Sequence, residues 1–179
     1  MKITKDYKGL ERQENGDYIL IGDLISDENI EIDLDDWLRV TGRIESKKTI
    51  ITKKTLVSGC DIKAGCGIEA GCGIKAGDGI EAGCDIKAGY GIEAGCGIKA
   101  GLSIICKWIS SKLRIFAGLC IWRQPTEEET TITCEEVKEG TIAFGKLNLI
   151  QKKEVKEMTV AEIEEALGYS VKVVKGSDE

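Results

Sequence analysis

Isoleucine or leucine returns every six residues along much of the chain: Ile32, Leu38, Ile44, Ile50, Leu56, Ile62, Ile68, Ile74, Ile80, Ile86, Ile92, Ile98 and Ile104 stand six apart without a gap. Between Gly59 and Ala100 the repeat is almost literal, reading GCDIKA, GCGIEA, GCGIKA, GDGIEA, GCDIKA, GYGIEA, GCGIKA. A fixed short period of this kind marks a solenoid, in which each unit buries its apolar residue only against its neighbours. Each hexad predicts a short strand and an Ala-Gly corner. The Cys-type position and the isoleucine are expected on one side, and the Lys or Glu on the other.

The charges decide how many hexads close a coil. The residue after each isoleucine alternates in sign: Lys63, Glu69, Lys75, Glu81, Lys87, Glu93, Lys99. With two hexads per coil the lysines would stack on one another, which is destabilising. With three, the columns become Lys63/Glu81/Lys99, Glu69/Lys87 and Lys75/Glu93, opposite in sign at every step. The fold predicted is therefore mainly β, a three-sided parallel β-helix with 18-residue coils and a small C-terminal helix-turn-strand appendage. Each exposed pair contributes only about 0.2–1 kcal/mol, so its value lies in fixing register.

The expected organisation is a lead-in or cap over residues 1–29, the solenoid and its closing coil over 30–123, C-terminal strands over 124–150, and a linker plus appendage over 151–179. In the last segment Thr159 and Glu162 form a capping box, Val160, Ile163 and Leu167 make one apolar stripe, Gly168 ends the helix, and Tyr169 to Val174 alternates as a strand. Before it, Pro125 breaks the pattern, and apolar strands are expected at Ile132 to Val137 and Thr141 to Ile150.

Cys60, Cys66, Cys72, Cys84 and Cys96 recur two positions before the isoleucine, with Asp78 and Tyr90 in the same place. Read as interior positions, these cysteines are small hydrophobes packing a narrow prism. The functional alternative is a soft-metal or redox thiol stack, but a spacing of six lacks the C-x₂-C knuckles of a zinc site. Asp78 implies either a column that is not uniformly deep or a buried carboxyl. No cofactor or metal is expected.

Composition narrows the chemistry. The 179 residues include no histidine, which removes Ser-His and Cys-His nucleophile pairs, His general bases and every His-bearing metal site. The net charge of −6 argues against a protein that coats nucleic acid generally, though a local basic patch remains open. The start, Met1 to Lys8, has no apolar signal-peptide core, and no stretch approaches the roughly 18 apolar residues of a membrane span. A cytoplasmic protein with reduced cysteines and no membrane contact is expected.

Three departures from the repeat are candidate binding surfaces, one of them the C-terminal appendage, which would cap the prism, pair two protomers as a homodimer or dock a partner. Ile30 to Trp37 alternates strictly and lines up Glu31, Asp33 and Asp35, with Asp36 beside them. Such a row would imitate phosphates or supply Ca²⁺ ligands, or serve only as a solvated face that deters aggregation. After Ile104 the apolar phase slips by one to Ile109, Ile115 and Ile121, and Lys107, Lys112, Arg114 and Arg123 appear with Trp108 and Trp122. Basic residues among aromatics would grip a nucleic-acid backbone or an acidic protein groove. Alternatively, the tryptophans close the end of the solenoid and the cations form its rim.

The Ile-Lys/Glu-Ala-Gly-Cys-Gly pattern over roughly residues 30 to 105 resembles the hexapeptide repeats of left-handed β-helix acyltransferases and γ-class carbonic anhydrases. It also looks like the repeats of bactofilins, cytoskeletal β-helices that polymerise end to end and wind the other way, so handedness stays open. The acyltransferases rely on a catalytic His and the anhydrases on His ligands, which this chain lacks; the resemblance implies architecture without that activity. The whole chain also resembles repeat proteins of phages and mobile elements of gut Firmicutes, including anti-CRISPR inhibitors of Cas9. The residues concerned are Asp17 to Leu24, Leu113 to Cys120 with Trp122-Arg123, and Met158 to Tyr169. That resemblance implies a non-enzymatic protein that binds and occludes a CRISPR effector nucleoprotein, with nucleic-acid contact through the basic and aromatic residues. The competing expectation is a bactofilin-like structural scaffold that self-assembles through the solenoid ends.

Overall fold

The computed structural model describes residues 1–151 and 159–171. The chain is a parallel β-solenoid of about seven coils with one small helix near its C-terminus. In the central repeat each strand is only three residues, such as Ile62–Ala64, Ile68–Ala70 and Ile74–Ala76, and each pairs in parallel with the strand eighteen residues on. Three strands therefore make one turn of a triangular prism. Its first face carries Ile50, Ile68, Ile86 and Ile104, its second Leu56, Ile74 and Ile92, and its third Ile44, Ile62, Ile80 and Ile98.

Inside each strand the first and third residues are buried and the middle one faces out, so the core is built from columns of isoleucine and of alanine or serine. Narrow coils need that small third residue. The outward columns match charge against charge: Lys63 faces Glu81, which faces Lys99, and Lys75 faces Glu93. Two of these steps close as ion pairs, Lys75–Glu93 at 2.9 Å and Lys99–Glu81 at 2.6 Å, whereas Lys63 and Lys87 turn toward Asp61 and Asp85 on their own coils. Asp61 and Asp85 have a second role, accepting the corner N–H of Gly79 and of Ser103 eighteen residues on, each at 3.0 Å.

The glycine that opens each corner is demanded by close approach between coils. A Cβ on Gly77 would lie 2.0 Å from the carbonyl oxygen of Gly59 below it. No larger residue fits without separating the coils.

The structure corrects four expectations. Strand geometry ends after three residues, so the turn carries the Cys-type position out of the prism: Cys60, Cys66 and Cys96 are exposed, and Cys72 and Cys84 are half-buried. Asp78 is likewise exposed at a corner, not a buried carboxyl. The cysteines inside the core are Cys106 and Cys134, which occupy alanine-type positions. Ile32 does not belong to the isoleucine column either. Ile30 stacks on Ile50 and Ile32 on Thr52, because Leu34 is an extra buried residue in a coil two residues longer than the eighteen-residue coils of the central repeat. Ile121, expected as the next core residue, is 99% exposed; Ile132 fills the place above Ile104.

Parallel stacking reaches past residues 30–123 at both ends. Lys2–Ile3 pairs with Ile30–Ile32, and Tyr18–Leu20 and Leu24–Ser26 underlie Leu38–Val40 and Ile44–Ser46. At this end Leu10–Arg12 folds back antiparallel on Tyr18–Leu20, covering that outermost strand. At the other end Thr131–Cys134, Glu136–Phe144 and Lys146–Leu149 form a last coil, and Phe144, Leu147, Leu149 and Ile150 are exposed there. The helix Val160–Leu167 has the expected capping box of Thr159 and Glu162 and ends at Gly168 with φ +74°. No strand is present at Tyr169 to Val171, and the remainder of that expected strand lies outside the described residues.

Candidate functional site: an aromatic groove along one edge

The regular coils place a glycine or threonine just before each second-face strand, so Thr55, Gly73 and Gly91 form one column along the edge between the first and second faces. Both ends of this column are irregular. Below it, the two extra residues in 33–37 lift Trp37 into the position under Thr55. Above it, one residue is missing between Ile104 and Ile109, and the shortened corner presents Trp108 directly over Gly91. The Trp108 indole lies against that glycine so closely that a Cβ there would sit 2.1 Å from the ring.

The result is a groove of about 580 Å³ with Thr55, Gly73 and Gly91 in its floor and Trp37, Tyr90 and Trp108 around it. Val57, although it points away from the core, is only 6% exposed, and Cys72 lines the same trough. Tyr90 packs edge-on against Trp108, with ring centres 6.1 Å apart and planes at 86°. Lys107 stands over the Tyr90 ring at 5.6 Å and Lys138 over the Trp108 ring at 3.8 Å. Beyond Trp108 a second depression of about 650 Å³ continues toward Leu149 and Ile150 at the open end. An apolar, glycine-floored trough with rigid aromatic walls and cations held on their faces suits burial of apolar side chains from a partner.

The six basic and aromatic residues expected as one patch are not together. Residues a third of a coil apart sit on different edges. Lys107 and Trp108 belong to the groove edge, Lys112 and Arg114 to the edge between the second and third faces, and Trp122 and Arg123 to the loop on the remaining edge. Arg123 is held at 2.6 Å by Glu129 and stacks at 4.9 Å on Trp122, which is itself 61% exposed. Neither Trp108 nor Trp122 closes the core. Trp37 at one end of the groove and Tyr90 at the other are the site residues that the sequence pattern did not bring together.

The acidic row points outward as expected, but much of it is engaged within the chain. Asp33 pairs with Lys2 at 3.0 Å, and Asp35 with Lys5 at 2.8 Å and with Arg12 at 3.8 Å, while the Tyr18 hydroxyl donates to Asp35 at 2.7 Å. The hydrogen bonds from Lys5 and Tyr18 hold the Asp35 carboxyl well below the usual carboxylate range, and Lys2 does the same, less strongly, for Asp33. Glu31 lies beside Lys2 in register, and Asp36 accepts the Trp37 N–H at 2.9 Å. These acids fasten the N-terminal segment and brace the corner that presents Trp37.

Among the described residues no helix is long and apolar enough to cross a membrane. Protein-family models, curated proteins and solved structures return no match to this chain.

Proposed function

We propose that this is a non-enzymatic interaction protein that acts by binding and occluding a protein partner, with the Trp37–Trp108 groove as its principal contact. The observation that carries this reading is the edge itself. Two coils of abnormal length put tryptophans at both ends of one glycine-floored column, on a frame whose repeated coils hold them at fixed separation. Preorganised aromatic anchors are what a tight interface needs, because little side-chain entropy is lost when they bind. The absence of histidine from the sequence closes the chemistry that the resembling acyltransferases and anhydrases use.

The resemblance to phage-borne repeat proteins makes a Cas9-type nucleoprotein effector the first partner to test. Purified protein is titrated into a guided cleavage reaction beside the Trp37→Ala/Tyr90→Ala double variant, whose side chains are half-exposed and support no core strand. Inhibition by the parent and loss of at least about tenfold in potency by the variant is expected, in line with removal of two interface anchors. Equal potency rejects the groove, and no inhibition by the parent rejects this class of target. Reversing Asp33 and Asp35 would be a poorer probe, since it also releases the N-terminal segment.

The open last coil favours a second reading, self-association through the solenoid end. Among the described residues Glu136–Phe144 and Lys146–Leu149 each have one strand neighbour, and they carry the exposed apolar Phe144, Leu147 and Leu149. Because Leu10–Arg12 folds over the opposite end, this arrangement supports a tail-to-tail dimer more readily than a filament. Light scattering across a concentration series, with Leu149→Glu as the disrupting variant, separates dimer from monomer.

A further inference from the structure

The edge between the third and first faces carries a feature the groove does not use. At the other two edges the cysteine column is interrupted, by Asp78 between Cys60 and Cys96 and by Tyr90 above Cys72. Here Cys66 and Cys84 are stacked directly. The Cys84 N–H donates to the Cys66 carbonyl at 2.8 Å, and the Cys66 N–H donates to that of Lys48 at 2.9 Å. The long loop inserted between Ile115 and Ile132 returns to this same edge. It brings Cys120 and Arg123 close enough for their charges to act on Cys84. Cys66 is exposed, and Cys84 and Cys120 are half-buried.

Stacked residues of neighbouring coils project in parallel, about 4.8 Å apart. That separation is long for a disulfide, whose Cβ atoms want about 3.8 Å. It suits two sulfurs on opposite sides of one ion, since two metal–sulfur bonds of about 2.3 Å laid end to end span about 4.6 Å. Among the described residues no group of three or more His, Cys, Asp or Glu side chains is arranged to hold a metal ion, so a four-ligand zinc site is not what this edge offers. A pair of thiolates alone selects a soft ion content with two ligands.

We propose that Cys66 and Cys84 form a surface dithiol site for a soft monovalent metal ion of the Cu(I) class. Binding replaces two S–H bonds by two S–metal bonds and releases two protons, with no change of oxidation state. The bound unit carries one negative charge; the charged groups that act on Cys84 are Asp85 beside it and Arg123 of the loop, which is itself paired with Glu129. The molecule contains its own control. Cys106 and Cys134 are stacked on adjacent coils in the same manner but inside the prism, where burial pushes the Cys106 thiol up to about 12.

The test is titration of the reduced full-length chain with Cu(I) held by bicinchoninate, a coloured competitor. The expected result is withdrawal of one Cu(I) per chain, with affinity rising up to about a hundredfold per pH unit as two protons are displaced. Cys66→Ser and Cys84→Ser should each weaken binding by more than about tenfold. Cys60→Ser/Cys96→Ser and Cys106→Ser should leave it intact. A measurement independent of variant folding is alkylation mapping of the wild type. One equivalent of Cu(I) should protect Cys66 and Cys84 from iodoacetamide while Cys60 and Cys96 react as before. No competition by the wild type, retention of binding in both single variants, or protection spread evenly over the exposed cysteines overturns the site.

Discussion

Between Gly59 and Ala100 every coil has eighteen residues and the same kind of corner, whereas the edge that carries the groove gains two residues near Asp33 to Trp37 and loses one near Ile105 to Trp108. The regular region has apolar columns, paired charges and glycines that let coils touch, and its outer faces present little that is specific. The irregular corners present tryptophan. Changing a corner's length leaves the strand register on the faces intact, because the strands that follow resume their in-register stacking. A solenoid of this kind can therefore vary its edges while conserving its frame, and its binding chemistry is to be sought where coil length changes.

The strongest way to break this comparison uses two glycines of the same literal repeat. At Gly77 an added methyl would meet the Gly59 carbonyl at 2.0 Å, and only backbone stands there to move. At Gly73 it would meet the Gly91 carbonyl at 3.4 Å and Thr55 at 3.5 Å, ordinary contacts. Gly77→Ala is expected to cost about 3 kcal/mol or more and to lower the denaturation midpoint sharply, as steric faults in a packed frame do. Gly73→Ala should change stability by no more than about 1 kcal/mol, because the site accepts the methyl and the unfolded chain loses freedom. Equal effects in denaturant melts would mean that the corner's first glycine, which touches the coil below, is no more constrained than its third.

How far the sequence discloses the architecture follows the same division. The eighteen-residue coil is legible because Lys63, Glu81 and Lys99 report their neighbours through their signs. The exposed cysteines are not. Alternation licenses an inside position two before each isoleucine only if the strand continues, and here the corner interrupts it. Ile32 and Ile121 keep the apparent spacing by coincidence, one because Leu34 adds a buried residue to a longer coil, the other inside a loop that leaves the prism. The groove joins residues that follow one another seventeen or eighteen positions apart and spans seventy-one from Trp37 to Trp108, so no local motif marks it. It becomes readable only once the coil length is known and the column Trp37, Thr55, Gly73, Gly91 is written out with its two irregular corners.

Acid should loosen the ends before the middle. Asp33, Asp35 and Glu129 have folded pKa values depressed by their donors, Glu129 to about 2 through Arg123. A depressed carboxyl adds stability that is complete above its unfolded value, near 4, and is lost as pH falls through the folded one. Attachment of the N-terminal segment and of the Arg123–Glu129 loop should thus weaken from about pH 4.5 downward. Lys2 and Lys5 are raised by the same partners, so their share of stability is present at neutral pH and declines only above 10.5. Amide protection at Tyr18 and at Thr130, taken relative to intrinsic exchange at each pH, should fall on acidification to pH 3 while that of Ile74 and Ile92 holds. A uniform fall would tie ends and centre into one cooperative unit.

The smallest effect sharpens the role of the outward charges. Lys75 and Glu93 form the 2.9 Å pair at the rim of the groove, both about half exposed, so water and salt screen them heavily. Glu93→Lys should cost no more than about 1 kcal/mol at low salt, and the loss should shrink as salt rises. The exchanged pair, Lys75→Glu with Glu93→Lys, should recover most of it, because the step between the two coils is again opposite in sign. The exchange is not symmetric, however. Lys75 also neighbours Val57, an outward valine that is buried, and the long lysine chain can cover it as the shorter glutamate cannot. A remaining deficit insensitive to salt would measure that apolar cover, and a full recovery would assign the whole interaction to charge.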